Sequence, residues 1–137
     1  MNKSTLKLTV RGCDLDSFGH VNNAVYLQYA ETATWNFFRN INILDRLSSL
    51  GLFPVILESY QRYIHELRLF DEVRIESGFH TNGGILSYKH TMYNEGTGLI
   101  SCKVKGKIAF VDHERIICNV PDDLIEYLES ENDNDKN

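Results

Sequence analysis

Five polar side chains that could take part in catalysis lie within ten residues near the start of the chain. They are Asp14, Asp16, His20, Asn22 and Asn23, and a largely apolar segment follows them. Backbone N–H groups at the start of a helix are unpaired and carry partial positive charge. A carboxylate beside such a helix start could attack a carbonyl whose oxygen the amides hold, or activate water against it. This polar stretch is the best candidate for chemistry in the sequence.

The elements that must position this stretch are a strand before it and a helix after it. Residues 5–11 alternate between apolar and polar side chains, as a half-buried strand does. Residues 23–40 carry apolar side chains around much of a helical surface, which is typical of a helix covered on several sides. Gly19 and its polar neighbours suit turns and helix caps. The pattern therefore predicts a loop that holds Asp16 at the amino end of a long helix.

The rest of the chain predicts a short second helix, four more strands and a short final helix. The strands cover residues 54–66, 71–81, 85–93 and 99–111. Asn82-Gly83-Gly84 is a strong hairpin signal, because Asn and Gly tolerate positive φ. Residues 54–66 are apolar on both faces, which indicates an inner strand or an oligomer contact. The order predicts an α+β fold in which a five-stranded antiparallel sheet wraps around one long helix.

Composition and charge narrow the class of protein. The chain has 137 residues and a net charge of −5, which argues against a general nucleic-acid binder. We expect one domain over residues 1–128 and an acidic, disordered tail over residues 129–137. Three cysteines without paired spacing fit a reducing compartment. The sequence shows neither a signal-peptide pattern nor a membrane span, so it predicts a cytoplasmic protein.

Residues 16–26, DSFGHVNNAVY, resemble the loop and helix start of hotdog-fold thioesterases, in particular the 4-hydroxybenzoyl-CoA thioesterase-like branch. That branch shows an Asp, a Gly three residues later, and then Asn and Tyr entering the central helix. The predicted β-α-β-β-β-β order agrees with its fold. The resemblance implies an enzyme that hydrolyses an acyl-CoA or acyl-carrier thioester. It also implies a homodimer or homotetramer with active sites between subunits, and no cofactor, since CoA is part of the substrate.

The resemblance also implies roles for residues of the motif. Asp16 would be the nucleophile or the general base, and the backbone amide of Asn23 would polarise the thioester carbonyl. His20 would support catalysis, and the Asn22 side chain would help to position the substrate. Phe18 and Thr34 depart from related patterns, since relatives often have asparagine and arginine there. Glu31, inside the helix, ranks below Asp16 as a catalytic carboxylate.

Further residues are candidates for substrate binding. Lys103, Lys105 and Lys107 share one face of the last strand, which is either a solvated face or a site for CoA phosphates. The same two readings apply to Arg62, Arg68 and Arg74. An aromatic helix face of Tyr26, Tyr29 and Phe37 suggests an apolar acyl or aroyl pocket, in which Tyr26 and Tyr29 are either core residues or pocket wall. The histidines and cysteines lack metal-ligand spacing, so we predict no metal site.

Two other functions compete with hydrolysis. The first is a non-catalytic hotdog protein that binds an acyl-CoA as a sensor. The second is a hotdog dehydratase or hydratase, which usually pairs a histidine with a carboxylate for proton transfer at carbon. The sequence leaves open the acyl group and the choice between CoA and a carrier protein.

Overall fold

One antiparallel sheet with helices packed on one of its faces forms the structure, a computed structural model that describes residues 2–135. The strands are β1 (Asn2–Thr9), β2 (Phe53–Tyr63), β3 (Glu72–Asn82), β4 (Ile85–Asn94), β5 (Ile100–Val111) and β6 (Ile117–Cys118). The order across the sheet is β1-β3-β4-β5-β2, and the short β6 pairs with β5. The α+β class and the antiparallel sheet are confirmed, with β6 as an additional strand. β1 and β2 form the two long edges.

The helices are α1 (Asn23–Asn40), α2 (Leu44–Leu50) and α3 (Asp122–Asp135). α1 packs against β1, β3 and β5, and its Phe37 ring stacks on Phe79 of β3 with centroids 3.9 Å apart. α3 covers β1 and β3 beside it. None of the helices in residues 2–135 combines the length and apolar character that crossing a bilayer requires.

Alternation along β4 and the middle of β5 gives the sheet two different faces. Leu86, Tyr88, His90 and Met92 of β4 are buried against the helices, whereas the residues between them are more exposed. β5 repeats the pattern, with its lysines on the outer face. Gly106 keeps this packing possible, because a Cβ there would overlap the Glu58 carbonyl and the Tyr88 hydroxyl.

The end of the chain differs from the sequence prediction. α3 continues to Asp135, so it includes most of the segment predicted to be a disordered tail. Each residue added to an existing helix gains a hydrogen bond without a new nucleation cost, so Leu124 and Leu128, buried in the core, can support a longer helix. Residues 136 and 137 of the predicted tail lie outside the described part of the chain.

Candidate active site

The loop between β1 and α1 is a tight turn that brings Asp16 and His20 together. The Asp16 N–H donates to the His20 carbonyl at 2.9 Å, and the Gly19 N–H donates to the Asp16 carbonyl at 3.2 Å. Gly19 has a φ of +86°, a conformation that glycine adopts without steric cost. Leu15 and Val21 form a further bridge across the base of the turn. The turn therefore fixes Asp16 close to the start of α1.

The Asp16 carboxylate is held by hydrogen bonds on one oxygen and by an imidazole on the other. Its Oδ1 accepts from the N–H of Phe18 at 2.9 Å and from the N–H of His20 at 3.4 Å. Its Oδ2 lies 3.3 Å from His20 Nδ1, and His20 Nε2 lies 3.7 Å from Glu66 Oε1. The side chains of Asp16 and His20 are 24% and 28% exposed. The carboxylate is thus oriented and still reachable by a substrate.

The first turn of α1 leaves one amide available. Asn22 is the N-cap, and its side-chain oxygen accepts from the Ala24 N–H at 2.9 Å. The Asn22 carbonyl accepts from the Val25 N–H at 2.9 Å. The Asn23 N–H has no hydrogen-bond partner within residues 2–135. Such a free amide at a helix start can hold a negatively charged oxygen.

A buried carboxylate anchors the turn to the helix. Asp14 is buried and accepts from the Arg11 N–H at 3.0 Å, from Arg11 Nη2 at 3.0 Å and from the Tyr29 hydroxyl of α1 at 2.7 Å. Burial by itself would raise the pKa of Asp14, but the hydrogen bonds from Arg11 and Tyr29 outweigh it, and the pKa is lowered. The charged form of Asp14 therefore stabilises the fold.

We expect Asp14→Asn to lower the free energy of unfolding by about 1–3 kcal/mol at pH 7, because it weakens a buried, charged hydrogen-bond network. The pKa of Asp14 in the folded protein lies below its value of about 3.9 in the unfolded chain. The carboxylate therefore makes its full contribution to stability above about pH 3.9. Its contribution is lost as the pH falls through the folded pKa. Urea unfolding at pH 7 and pH 3 should show the gap between the two proteins narrowing in acid, and a constant gap would contradict this origin.

An apolar cavity of about 190 Å³ opens between α1, β2 and the sheet. Its lining consists of Leu27, Ala30, Glu31, Thr34, Trp35, Phe38, Pro54, Ile56, Ser59, Tyr88 and Ile108. Tyr29 and Phe37 are not part of this lining, because they turn into the core, where they contact Asp14 and Phe79. Of the two roles predicted for Tyr29, the structure shows the core position, and the predicted pocket wall is wrong. A neighbouring stripe of the same helix faces the cavity instead. Glu31 lies on this lining and not in the turn that carries Asp16.

A row of buried, hydrogen-bonded polar side chains lies beneath the cavity. It explains why a threonine occupies position 34. The Thr34 hydroxyl is 2.9 Å from His90 Nε2, and the Ser77 hydroxyl is 2.6 Å from His90 Nδ1. Burial lowers the pKa of His90 to about 4, so the imidazole is neutral at pH 7. A threonine at this position of the helix provides a hydrogen-bond partner for His90. The longer side chain of an arginine would displace the histidine.

Three of the predicted substrate-binding residues lie away from the turn. Tyr26 is 4% exposed, and its hydroxyl accepts from the Leu67 N–H at 3.1 Å, so it fastens the segment after β2 to α1. This buried position differs from the predicted role as a pocket wall. Lys103 and Lys105 are exposed on the outer face of the sheet, opposite the helices, because strand alternation points them away from the core.

Two residues near the turn were not predicted from the sequence. Glu66 contacts His20, and the Tyr63 hydroxyl donates to the Asn23 carbonyl at 3.1 Å. Both follow from the end of β2 passing beside the start of α1. No local signal marks them, because their sequence separation from the motif is large.

The thioesterase-like superfamily model matches residues 10–128, from the residue after β1 to the middle of α3. The chain belongs to this superfamily. It is accordingly a thioester hydrolase, and the predicted family and enzyme class are confirmed. The match includes the turn, the helix start and the strands from β2 to β6, and so covers the candidate site.

Individual relatives support the same conclusion. The long-chain acyl-CoA thioesterase FadM of Escherichia coli (strain K12) is 33% identical over 93 residues, which are 66% of this chain and 70% of the relative. The chloroplastic acyl-acyl carrier protein thioesterase ATL3 of Arabidopsis thaliana is 25% identical over 121 residues, 87% of this chain and 64% of the relative. The 1,4-dihydroxy-2-naphthoyl-CoA thioesterase of Synechocystis superposes with a TM-score of 0.85 at 12% identity, covering 93% of this chain and 96% of that one. This likeness confirms the hotdog fold.

Proposed function

We propose that this hydrolase cleaves an acyl-CoA or acyl-carrier thioester with the carboxylate of Asp16. The observation that carries the proposal is an oriented, partly exposed carboxylate in the turn that leads directly to the free Asn23 amide. The amide holds the carbonyl oxygen as it becomes negative, an interaction commonly worth about 10²–10³ in rate. His20 orients the Asp16 carboxylate, and Asn22 holds the helix start in place.

Two chemical routes use the same residues. In one, the Asp16 carboxylate attacks the thioester carbonyl, the thiolate leaves, and water hydrolyses the resulting anhydride. In the other, Asp16 takes a proton from water, the hydroxide attacks, and the thiolate leaves the tetrahedral intermediate and takes up a proton. Either route yields a free acid and a free thiol. Water is the only other reactant, so the proposal includes no cofactor and no metal.

The acyl group has a suitable site in the cavity between α1 and β2. Leu27, Trp35 and Ile56 give it an apolar lining. Burial of each methylene group there contributes roughly 0.8 kcal/mol. We propose an aliphatic acyl chain, and the long-chain acyl-CoA thioesterase among the relatives supports this choice.

A second copy of the chain would complete the site. Within residues 2–135, β2 pairs only with β5 and leaves its other edge unpaired, with Ile56 53% and Leu57 47% exposed. An open apolar edge is a template for strand pairing, and two-fold symmetry is the commonest arrangement for such a contact. Because Tyr63 at the end of β2 contacts the helix start, pairing along β2 would cover the Asp16 turn and the cavity. We therefore propose a homodimer through β2.

Thiol release from a panel of acyl-CoA and acyl-pantetheine esters tests the proposed function. We expect equal amounts of free thiol and free acid, and faster turnover of long aliphatic esters than of aroyl esters. Tight binding of an acyl-CoA without thiol release would support the sensor alternative. A hydrated or dehydrated thioester as product would support the hydratase alternative.

A further inference from the structure

A tyrosine side chain crosses a neighbouring strand on the inner face of the sheet, beside the cavity between α1 and β2. Tyr88 of β4 and Ser59 of β2 lie on either side of Gly106 of β5, and each is directly opposite it in the sheet register. Because Gly106 has no side chain, Tyr88 passes over β5 and places its hydroxyl 3.4 Å from the Ser59 hydroxyl. The tyrosine ring therefore fills the space that a side chain of β5 would otherwise take.

Tyr88 forms the part of the cavity wall that lies on the middle of the sheet. It lines the cavity together with Ile108 of β5 and Ser59 of β2. The side chain is only 3% exposed, and its ring centre lies 5.0 Å from that of His90. Side chains in such close-packed surroundings stay in one rotamer. The ring is therefore a fixed wall of the cavity.

The contacts of Tyr88 give its depth along the cavity. Its ring is next to His90, whose Nε2 lies 2.9 Å from the Thr34 hydroxyl. Thr34 follows Asn23 by eleven residues on α1, and a helix rises about 1.5 Å per residue, so this level is about 16 Å from the helix start. An extended alkyl chain with carbon–carbon bonds of about 1.5 Å advances roughly 1.3 Å per bond, so about thirteen carbons span the distance. A long acyl chain whose carbonyl lies at the Asn23 amide would reach Tyr88 with its far part.

An aromatic wall at this depth controls the width of the cavity. The apolar side chains of the lining favour apolar groups in proportion to the area they bury, and this does not distinguish a straight chain from a broader one. Shape does distinguish them, because extra atoms in a well-packed site force side chains and backbone to move. Without the tyrosine ring, the space above Gly106 would be open, since β5 supplies no side chain there. The width at this level therefore depends on Tyr88.

We propose that Tyr88 determines which acyl groups the enzyme accepts. Its ring keeps the far part of the cavity narrow, so that long straight chains fit and chains with a ring or a branch at that depth are excluded. The proposal rests on the proposed function, in which the cavity receives the acyl group. Tyr88 acts through the shape of its ring and takes no part in the chemistry at Asp16.

Tetradecanoyl-CoA and ω-phenylundecanoyl-CoA test the proposal, because their acyl groups have similar lengths and differ in width at the level of Tyr88. In the parent protein, kcat/KM should favour the straight chain by about tenfold or more, a typical discrimination by a hydrophobic pocket. In Tyr88→Leu the preference should fall to about twofold or less, because the ring-bearing ester gains room. Tyr88→Phe removes only the hydroxyl and should keep the preference. Tyr88→Met, which fills irregular space more completely, allows the same comparison if the leucine variant folds poorly.

Phe79→Leu is the matched control for loosening of the core. Phe79 lies directly opposite Tyr88 on β3 and is fully buried, but it does not belong to the cavity lining. This variant removes an aromatic ring from the same row of the sheet and should keep the preference of the parent. The proposal would be overturned if Tyr88→Leu kept that preference, if Tyr88→Phe lost it, or if Phe79→Leu lost it to the same extent.

Binding measurements separate this proposal from the hydrolase itself. The single tryptophan of the chain, Trp35, lines the same cavity, so its fluorescence reports occupancy without turnover. Tetradecanoic acid should bind to the parent about tenfold or more tightly than ω-phenylundecanoic acid, and Tyr88→Leu should bind the two acids with similar Kd. Equal affinities in the parent would contradict the role of Tyr88 even if thioesters are hydrolysed. The expected difference in binding without any hydrolysis would support that role and count against the proposed function.

Discussion

Asp16→Asn should lower kcat/KM for a good acyl-CoA substrate by about 10³-fold or more while the protein remains folded. An amide can neither attack the thioester carbonyl nor accept a proton from water at neutral pH. Losing a general base typically costs about 10²–10⁴ in rate, and losing a nucleophile removes the covalent route altogether. Thiol release at saturating and at low substrate concentrations measures the effect, which should appear in kcat.

Asparagine is the decisive replacement because Asp16 also organises its own loop. Its Oδ1 accepts hydrogen bonds from the N–H groups of Phe18 and His20, and an asparagine oxygen can still accept both. Asp16→Asn therefore removes the carboxylate and keeps the turn, whereas Asp16→Ala removes both. The alanine variant should lose about 1 kcal/mol of stability as well as activity. An active Asp16→Asn protein would mean that the residue only shapes the loop.

The two chemical routes differ in where water oxygen first appears. A single turnover in H₂¹⁸O places label in the Asp16 carboxylate if water attacks the anhydride at the aspartyl carbon. If water attacks at the acyl carbon of the anhydride, or attacks the thioester directly, the label appears only in the released acid. Labelled Asp16 would therefore establish the nucleophilic route.

Most of the fold could be predicted from the sequence, because the sequence patterns that specify it are local. The alternation in β3 and β4, the Asn82-Gly83-Gly84 turn and the apolar residues of α1 each depend on neighbours within a few positions. The end of α3 was missed because its acidic residues favour solvent in either conformation. β6 was missed because two residues carry too little pattern to be recognised.

The candidate site could be predicted only in part from the sequence, because some of its contacts are not local. Asp16 and His20 share one turn and Asn23 follows it at the helix start, so a local motif places them together. Which stripe of α1 faces the cavity depends on tertiary contacts, such as the bond from Tyr29 to Asp14, that the helical period does not specify. The contacts of Glu66 and Tyr63 with the site likewise depend on how the end of β2 passes α1.

Leu57→Lys should convert the proposed dimer into a monomer and lower kcat/KM by about 10²-fold or more. Leu57 is 47% exposed on the free edge of β2, so a lysine there is tolerated in the single chain. In a dimer paired through β2, each interface would hold uncompensated charge, which typically costs about 3 kcal/mol or more. That cost raises the dissociation constant more than hundredfold. Sedimentation velocity over a range of concentrations measures the association.

The loss of activity follows because the same edge flanks the site. Tyr63 of β2 bonds to Asn23, and Ile56 lines the cavity, so separating the subunits exposes the helix start and the acyl site to water. Small misplacements of a reacting group can cost about 10² in rate. Ile117→Lys is the matched control, since Ile117 is also apolar and 57% exposed but lies on β6, and this variant should stay dimeric and active. If the Leu57→Lys protein is monomeric and fully active, one chain holds the complete site. If it remains dimeric, the subunits meet at a different surface.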